Sequence, residues 1–205
     1  MQKLEETVES VELAGSAYYN MLRSIIETIP RESMGDLLGR KFNNEYICIN
    51  AYPMQTANRK LGSVNYDESD EKAVDRVRSV NKTSNRLGGL GTYLIGGYHS
   101  HINSTNKLSD SDIKHIIAEL DELKKDYWIE ITLALKEKRY PNPKQTGEFV
   151  KEYARKLRVT LRDTQNHGYD ITISAYKVTN PKKPRVKELK VRRRRVKVVK
   201  VNTAK

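Results

Sequence analysis

The chain is poor in cysteine: Cys48 stands alone among 205 residues. No disulfide can close within it, which excludes the small disulfide-stapled secreted domains and favours a reducing compartment. Long apolar runs are also missing, and none approaches the ~18 residues of a membrane span. The opening MQKLEETVES is charged and lacks the apolar stretch of a secretory signal. These absences set the expectation of a soluble, cytoplasmic protein with no membrane partner.

Acid is scarce in one segment. Pro181 to Lys205 holds 12 Lys or Arg against a single acid, Glu188. The first 180 residues carry 26 bases and 25 acids, so the net charge of +12 belongs almost wholly to the end of the chain. The expected organisation is a nearly neutral domain over 1–180 and a basic tail over 181–205. The tail run KKPRVKELKVRRRRVKVVKV has no aromatic residue, so it offers no platform for stacking bases. It offers attraction to a nucleic acid or another acidic partner, weakening with salt. A solvated charge run is the competing reading, and the alternation in LKV and RVKVVKV leaves room for an added strand.

What remains is enough for one core, with 37% hydrophobic residues. TVESVEL (7–13) alternates weakly, as a first strand would. SAYYNMLRSIIETI (16–29) places Tyr18, Met21, Leu22, Ile25, Ile26 and Ile29 at helical spacing, with Ser16 as N-cap and Pro30 as the stop. SMGDLLGRKF (33–42) and EYICINAYP (45–53) read as a hairpin. Residues 55–70 are polar and turn-rich. ESDEKAVDRVRSV (68–80) reads as a helix with Ala73, Val74, Val77 and Val80 on one face, and TSNRLGGLG as a loop. TYLIGGY (92–98) suits a buried strand.

LSDSDIKHIIAELDELKKD (108–126) is a strongly amphipathic helix, with Ser109 or Ser111 able to cap it. YWIEITLALK (127–136) is a strand, and KRYPNPKQTGE reads as a loop. RKLRVTLRD (155–163) and YDITISAYKV (169–178) form a hairpin through TQNHG. Mixed strands and helices with recurring hairpins imply an α+β fold, a mixed β-sheet flanked by helices.

GGYHSHINSTNKLSDSD (96–112) concentrates the chemistry. Side chains i and i+2 on a strand share a face, so His99 and His101 can converge on one ion. Asp112, in the first turn of the next helix, can supply a carboxylate. Two imidazoles and a carboxylate with one open position make the ligand set of a catalytic zinc site. Ser109 and Asp112 equally suit a plain helix N-terminus, as cap and as acid near the dipole.

HSHINSTNKLSDSD fits H-x-H-x7-S-x2-D, and ESMGDLLG (Glu32 to Gly39) fits E-x-x-G-x-L-x-G at all four fixed positions. Together these resemble the JAMM metalloproteases, also called MPN or JAB1/Mov34 domains, over roughly residues 7 to 178. The resemblance implies an MPN-like, cytidine-deaminase-like sandwich. It implies one zinc held by His99, His101 and Asp112 with water as fourth ligand. Glu32 would be the general base and Ser109 the hydrogen-bond donor to the tetrahedral oxyanion. The reaction implied is hydrolysis of the amide joining the C-terminus of a ubiquitin-like modifier to a lysine. Trimming of a C-terminal extension is the alternative activity, and a nucleic-acid-associated module tethered by its tail is the alternative class.

Two positions depart from the family's habit. Ile102 stands where many relatives have proline, and Gly97 near where many have tryptophan. Both are expected at the rim of the site. His115, His167 and Cys48 are expected to form no second zinc site. Gly35 and Gly39 are expected to allow close backbone approach within the sheet, and Gly96 and Gly97 to do the same for a substrate strand.

Overall fold

The computed structural model describes residues 9–54, 58–60, 63–65, 72, 75–76, 78–80, 82–83, 91–140, 147–162, 167–179 and 184–194. Strands β1 (Ser10–Leu13), β2 (Met34–Phe42), β3 (Glu45–Pro53), β4 (Asn58–Lys60), β5 (Ser63–Asn65) and β6 (Tyr93–Ile102) come first. Then follow β7 (Tyr127–Arg139), β8 (Gly147–Tyr153), β9 (Lys156–Arg162), β10 (His167–Thr179) and β11 (Arg185–Arg193). Helix α1 (Gly15–Thr28) follows β1, and helix α2 (Asp110–Glu122) follows β6. Ala73, Val74 and Val77 of the proposed apolar face of the 68–80 helix lie outside the described residues, as do the alternating 195–201 and most of TSNRLGGLG; Val80, its fourth member, is exposed.

The sheet runs β11-β1-β3-β2-β6-β7-β10-β9-β8, and β10 also pairs with β11. That last pairing joins the first and seventh strands of the list and closes a seven-stranded barrel. The expected α+β sandwich, a mixed sheet flanked by helices, is therefore overturned: strand dominates, and the sheet closes on itself. The reason lies in β10. It pairs with β7 along all 13 residues, while its other edge is divided. Residues 168–173 take β9, and 175–179 take β11. β11 then pairs in parallel with β1, Val191 opposite Val11. Leu189 and Val191 point into the core while their charged neighbours point out. Much of the basic segment is thus a barrel stave, a role its charge concealed.

Alternation on each stave fills the interior. Ile129, Ile131, Leu133 and Leu135 of β7 face Ile171, Ile173 and Ala175 of β10 and Val11 and Leu13 of β1 in one cluster. α1 packs Ala17, Tyr18, Met21, Leu22 and Ile25 into the same cluster. Each Val, Leu, Ile or Met side chain among them contributes about 1.5–3 kcal/mol of burial. Ser16 is not the cap of α1: Ala14 holds that position, and the Ser16 hydroxyl donates to the Ile49 carbonyl. α2 lies on the outer surface, where Ile116 and Leu120 cover Trp128 and Val178. β3 and the β2–β3 hairpin match the sequence reading, with Asn43 at φ 53° in the turn. β8, unrecognised in the sequence beyond the end of the expected loop, adds a strand outside the barrel through β9. Among the described residues no helix is long and apolar enough to cross a membrane.

Candidate metal centre

Beyond a bulge at Ile95, β6 carries its even-numbered side chains inward and its odd-numbered ones outward. Tyr98 and Ser100 are buried within, and His99 and His101 face a cleft of about 900 Å³ beneath α2. Ile102, expected at the rim, has inward parity and packs against the core. Gly97 does line the cleft. A Cβ there would come within 3.2 Å of both Trp128 and Glu130, so the indole of Trp128 already backs this wall.

The His99 and His101 Nε2 atoms lie 2.9 Å apart, and Asp112 Oδ2 is 3.5 Å from the first and 3.8 Å from the second. Each imidazole is held from behind. His99 Nδ1 is 2.6 Å from Glu130 Oε1, and His101 Nδ1 is 2.6 Å from the Thr105 carbonyl. A carboxylate and a carbonyl only accept, so each Nδ1 is the donor and each neutral ring turns its Nε2 lone pair to the cleft. Three lone-pair atoms converging this closely are stable only around a cation or a shared proton. Ligands ~2.1 Å from a tetrahedral zinc stand ~3.4 Å from each other, and the three separations bracket that distance. Two imidazoles and one carboxylate suit a divalent transition metal, and zinc is among the ions they fit.

The electrostatics mark a site that favours positive charge: without a cation, His99 holds a proton in its place. Burial opposes a charge on His99, but the hydrogen bonds and charges of Asp112 and Glu130 outweigh it and raise its pKa to about 10. Burial would raise Asp112, yet His99 and the Ser109 hydrogen bonds hold it well below the usual carboxylate range.

Asp112 is fixed by the start of α2. Ser109 is the N-cap, and its hydroxyl accepts from the Asp112 N–H at 3.2 Å. The Ser109 N–H donates to Asp112 Oδ2 at 2.7 Å and the Ser109 hydroxyl donates to it at 2.8 Å, completing a capping box. The serine expected to serve an oxyanion thus has its hydrogen on a candidate ligand.

Glu32, in the segment between α1 and β2, lines the same cleft. Among the described residues it forms no ion pair with the nearby Arg31 or Arg40. Burial raises its pKa, partly offset by His101 and His99. Its segment is stitched to the histidine strand. Ser33 N–H donates to Ser100 Oγ at 2.8 Å, Ser100 N–H donates to the Ser33 carbonyl at 2.8 Å, and Ser24 of α1 bonds the Ser33 hydroxyl. The residue after the glutamate is therefore tied to the residue between the histidines.

Sequence reasoning missed several of these parts. Glu130 sits in YWIEITLALK, where a lone acid in an apolar strand is itself a signal that a buried partner awaits. Its second oxygen accepts from Trp128 Nε1 at 2.7 Å. Deeper in the cleft Arg78 clasps Asp36 with two 3.0 Å contacts and reaches Glu119 at 3.1 Å. His115 lines the cleft but stands 3.9 Å from Glu119, outside the convergent set. His167 begins β10, rather than lying in a turn, and bonds Glu137.

No protein-family model matches the chain, and no curated protein matches it. Among solved structures it is similar to the solution structure of protein DSY2949 from Desulfitobacterium hafniense. The identity is 13% over 90% of this chain and 92% of that one, with a TM-score of 0.52. That likeness concerns the fold alone.

Proposed function

We propose that the protein is a cytoplasmic, zinc-dependent isopeptidase that hydrolyses the amide between the C-terminus of a ubiquitin-like modifier and a lysine. The observation that carries this reading is the convergence of His99, His101 and Asp112, each held from behind, in one cleft with Glu32. When bound, zinc supplies a Lewis acid that polarises a carbonyl and brings the pKa of water to roughly 7.

The chain's own residues do the rest. Glu32 is a half-buried carboxylate with a raised pKa, which makes it a stronger base for accepting a proton from water. The same carboxyl then returns that proton to the departing lysine nitrogen. Glu130 and the Thr105 carbonyl keep both Nδ1 hydrogens in place, so the Nε2 atoms remain donors of electron pairs. Ser109 holds Asp112 by two hydrogen bonds. Its hydroxyl can turn toward a developing oxyanion while its N–H still anchors the carboxylate.

The test is zinc analysis of the full chain with cleavage of a panel of ubiquitin-like conjugates, lysine-linked and linear, with and without chelator. One zinc per chain and chelator-sensitive cleavage of the lysine-linked forms are expected. Glu32→Gln should keep zinc and lose activity, and His99→Ala should lose zinc. Full activity in the first variant sinks the assigned base, and full zinc content in the second sinks the ligand set. Preference for linear extensions would make the protein a processing protease instead.

A further inference from the structure

Beyond the barrel, β10, β9 and β8 continue as an open sheet. One face, through Leu157, Val159 and Ile171, belongs to the core. The other faces outward and holds three residue rows in register: Asp170–Thr160–Phe149, Thr172–Arg158–Lys151 and Gly168–Arg162–Gly147. Tyr153, two residues beyond Lys151, lies on the same face.

The makeup of this face is uneven. Phe149 is 40% exposed and Tyr153 54%. The Arg158 guanidinium lies 4.7 Å from the centroid of Tyr153. That of Arg162 lies 4.4 Å from the centroid of Tyr140 and 5.1 Å from that of Phe149. Lys136 and Lys151 add two exposed charges. The acid on these three rows, Asp170, is consumed: it accepts from Tyr140 and Thr160 and pairs with Lys138. Among the described residues Lys136, Lys151, Arg158 and Arg162 have no carboxylate partner.

We infer that this face binds a single-stranded polynucleotide. The charge complements a phosphate backbone, and the exposed rings and ring-supported guanidinium planes offer flat surfaces on which unpaired bases stack. An acidic polypeptide would satisfy the charges but would leave the planar surfaces unused. A duplex hides its base faces and would gain only the phosphate contacts. Stacking engages the face that every base presents, so DNA and RNA strands are expected to bind alike and with little sequence preference. The face is distinct from the metal cleft, because β8 lies four strand spacings, ~19 Å, from β6. It is also distinct from the basic residues after Arg194.

The test is fluorescence anisotropy on the full chain with labelled single-stranded DNA and RNA 20-mers, the matching duplex and polyglutamate as competitor. Single strands should bind more tightly than duplex. Phe149→Ala combined with Tyr153→Ala should weaken single-strand binding by about tenfold or more and leave duplex binding nearly unchanged. Lys151→Glu with Arg158→Glu, at exposed sites, should weaken both and lower the salt slope by roughly 0.7 per lost phosphate contact on single strands. Circular dichroism of each variant must match the parent. If the aromatic variant fails to fold, ultraviolet crosslinking of the parent must map to Phe149 or Tyr153. Unchanged affinity in the folded variants, crosslinks confined to residues 195–205, or full displacement by polyglutamate at equal charge would overturn the inference.

Discussion

Glu130 offers the sharpest test of the proposed metal centre, because its two oxygens serve two donors. One accepts from His99 Nδ1 at 2.6 Å and the other from Trp128 Nε1 at 2.7 Å, at a site only 5% exposed. Glutamine has the same shape but one acceptor. In Glu130→Gln either the imidazole or the indole N–H must face an amide NH2. A buried donor left without a partner costs about 1–3 kcal/mol. The imidazole also loses the negative charge behind it, and losing such a partner lowers metal affinity by about 10–100-fold. Trp128→Phe removes the competing donor, so the lone amide oxygen can then serve His99. The double variant should therefore be more stable than the sum of the single changes predicts, by about 1 kcal/mol. Urea unfolding of chelator-treated protein gives the stabilities, and competition with a chromophoric chelator gives zinc affinity. Stability within 0.5 kcal/mol of the parent and zinc affinity within about twofold would refute the arrangement. An additive cycle would refute the sharing.

Other expectations follow from neighbouring contacts. Ser100→Ala strips the partner from the buried Ser33 N–H and should cost about 1–3 kcal/mol. If the proposed activity holds, it should also slow hydrolysis without changing zinc content, and unchanged stability would count against the stitch. Gly96→Ala would set its Cβ 1.7 Å from the Ile129 carbonyl oxygen, so β6 and β7 cannot keep their spacing. A loss of about 3 kcal/mol or more is expected, and an unchanged melting temperature would contradict it. Glu9 accepts from Lys177 at 2.7 Å and Lys187 at 2.9 Å. Burial raises its pKa, but the two lysines outweigh that and leave it lowered. Its contribution is present above the unfolded carboxyl pKa and lost as pH falls through the folded one. Lys177→Ala should therefore cost on the order of 1 kcal/mol at pH 7 and clearly less at pH 3, by urea unfolding. An equal cost at both would refute the ion pair's role.

The local elements were open to a reader of the sequence because their causes are local. Strand alternation in EYICINAYP and the 3.6-residue spacing of Tyr18, Met21, Leu22 and Ile25 each report a one-sided face, and β3 and α1 fall where those patterns say. The spacing of His99, His101, Ser109 and Asp112 already placed two imidazoles on one strand face and a carboxylate in a helix's first turn. Close approach at Gly35 was equally readable, and its Cβ would indeed sit 2.3 Å from the Tyr52 carbonyl oxygen.

What the sequence alone determined is which residues could share a face and which chemistry they carry. Only the tertiary structure decided what each face meets. Closure of the barrel needed the long β10 to divide its edge between β9 and β11, a choice made by pairing across distant segments. It turned a basic run into a stave, because two apolar residues at alternate positions suffice to seat a strand whose charges point to water. Parity along β6 sent Ile102 inward and left Gly97 at the cleft. Burial gave Glu130 its two donors, since a carboxylate inside an apolar strand is tolerated only where the fold brings hydrogen-bond partners to it.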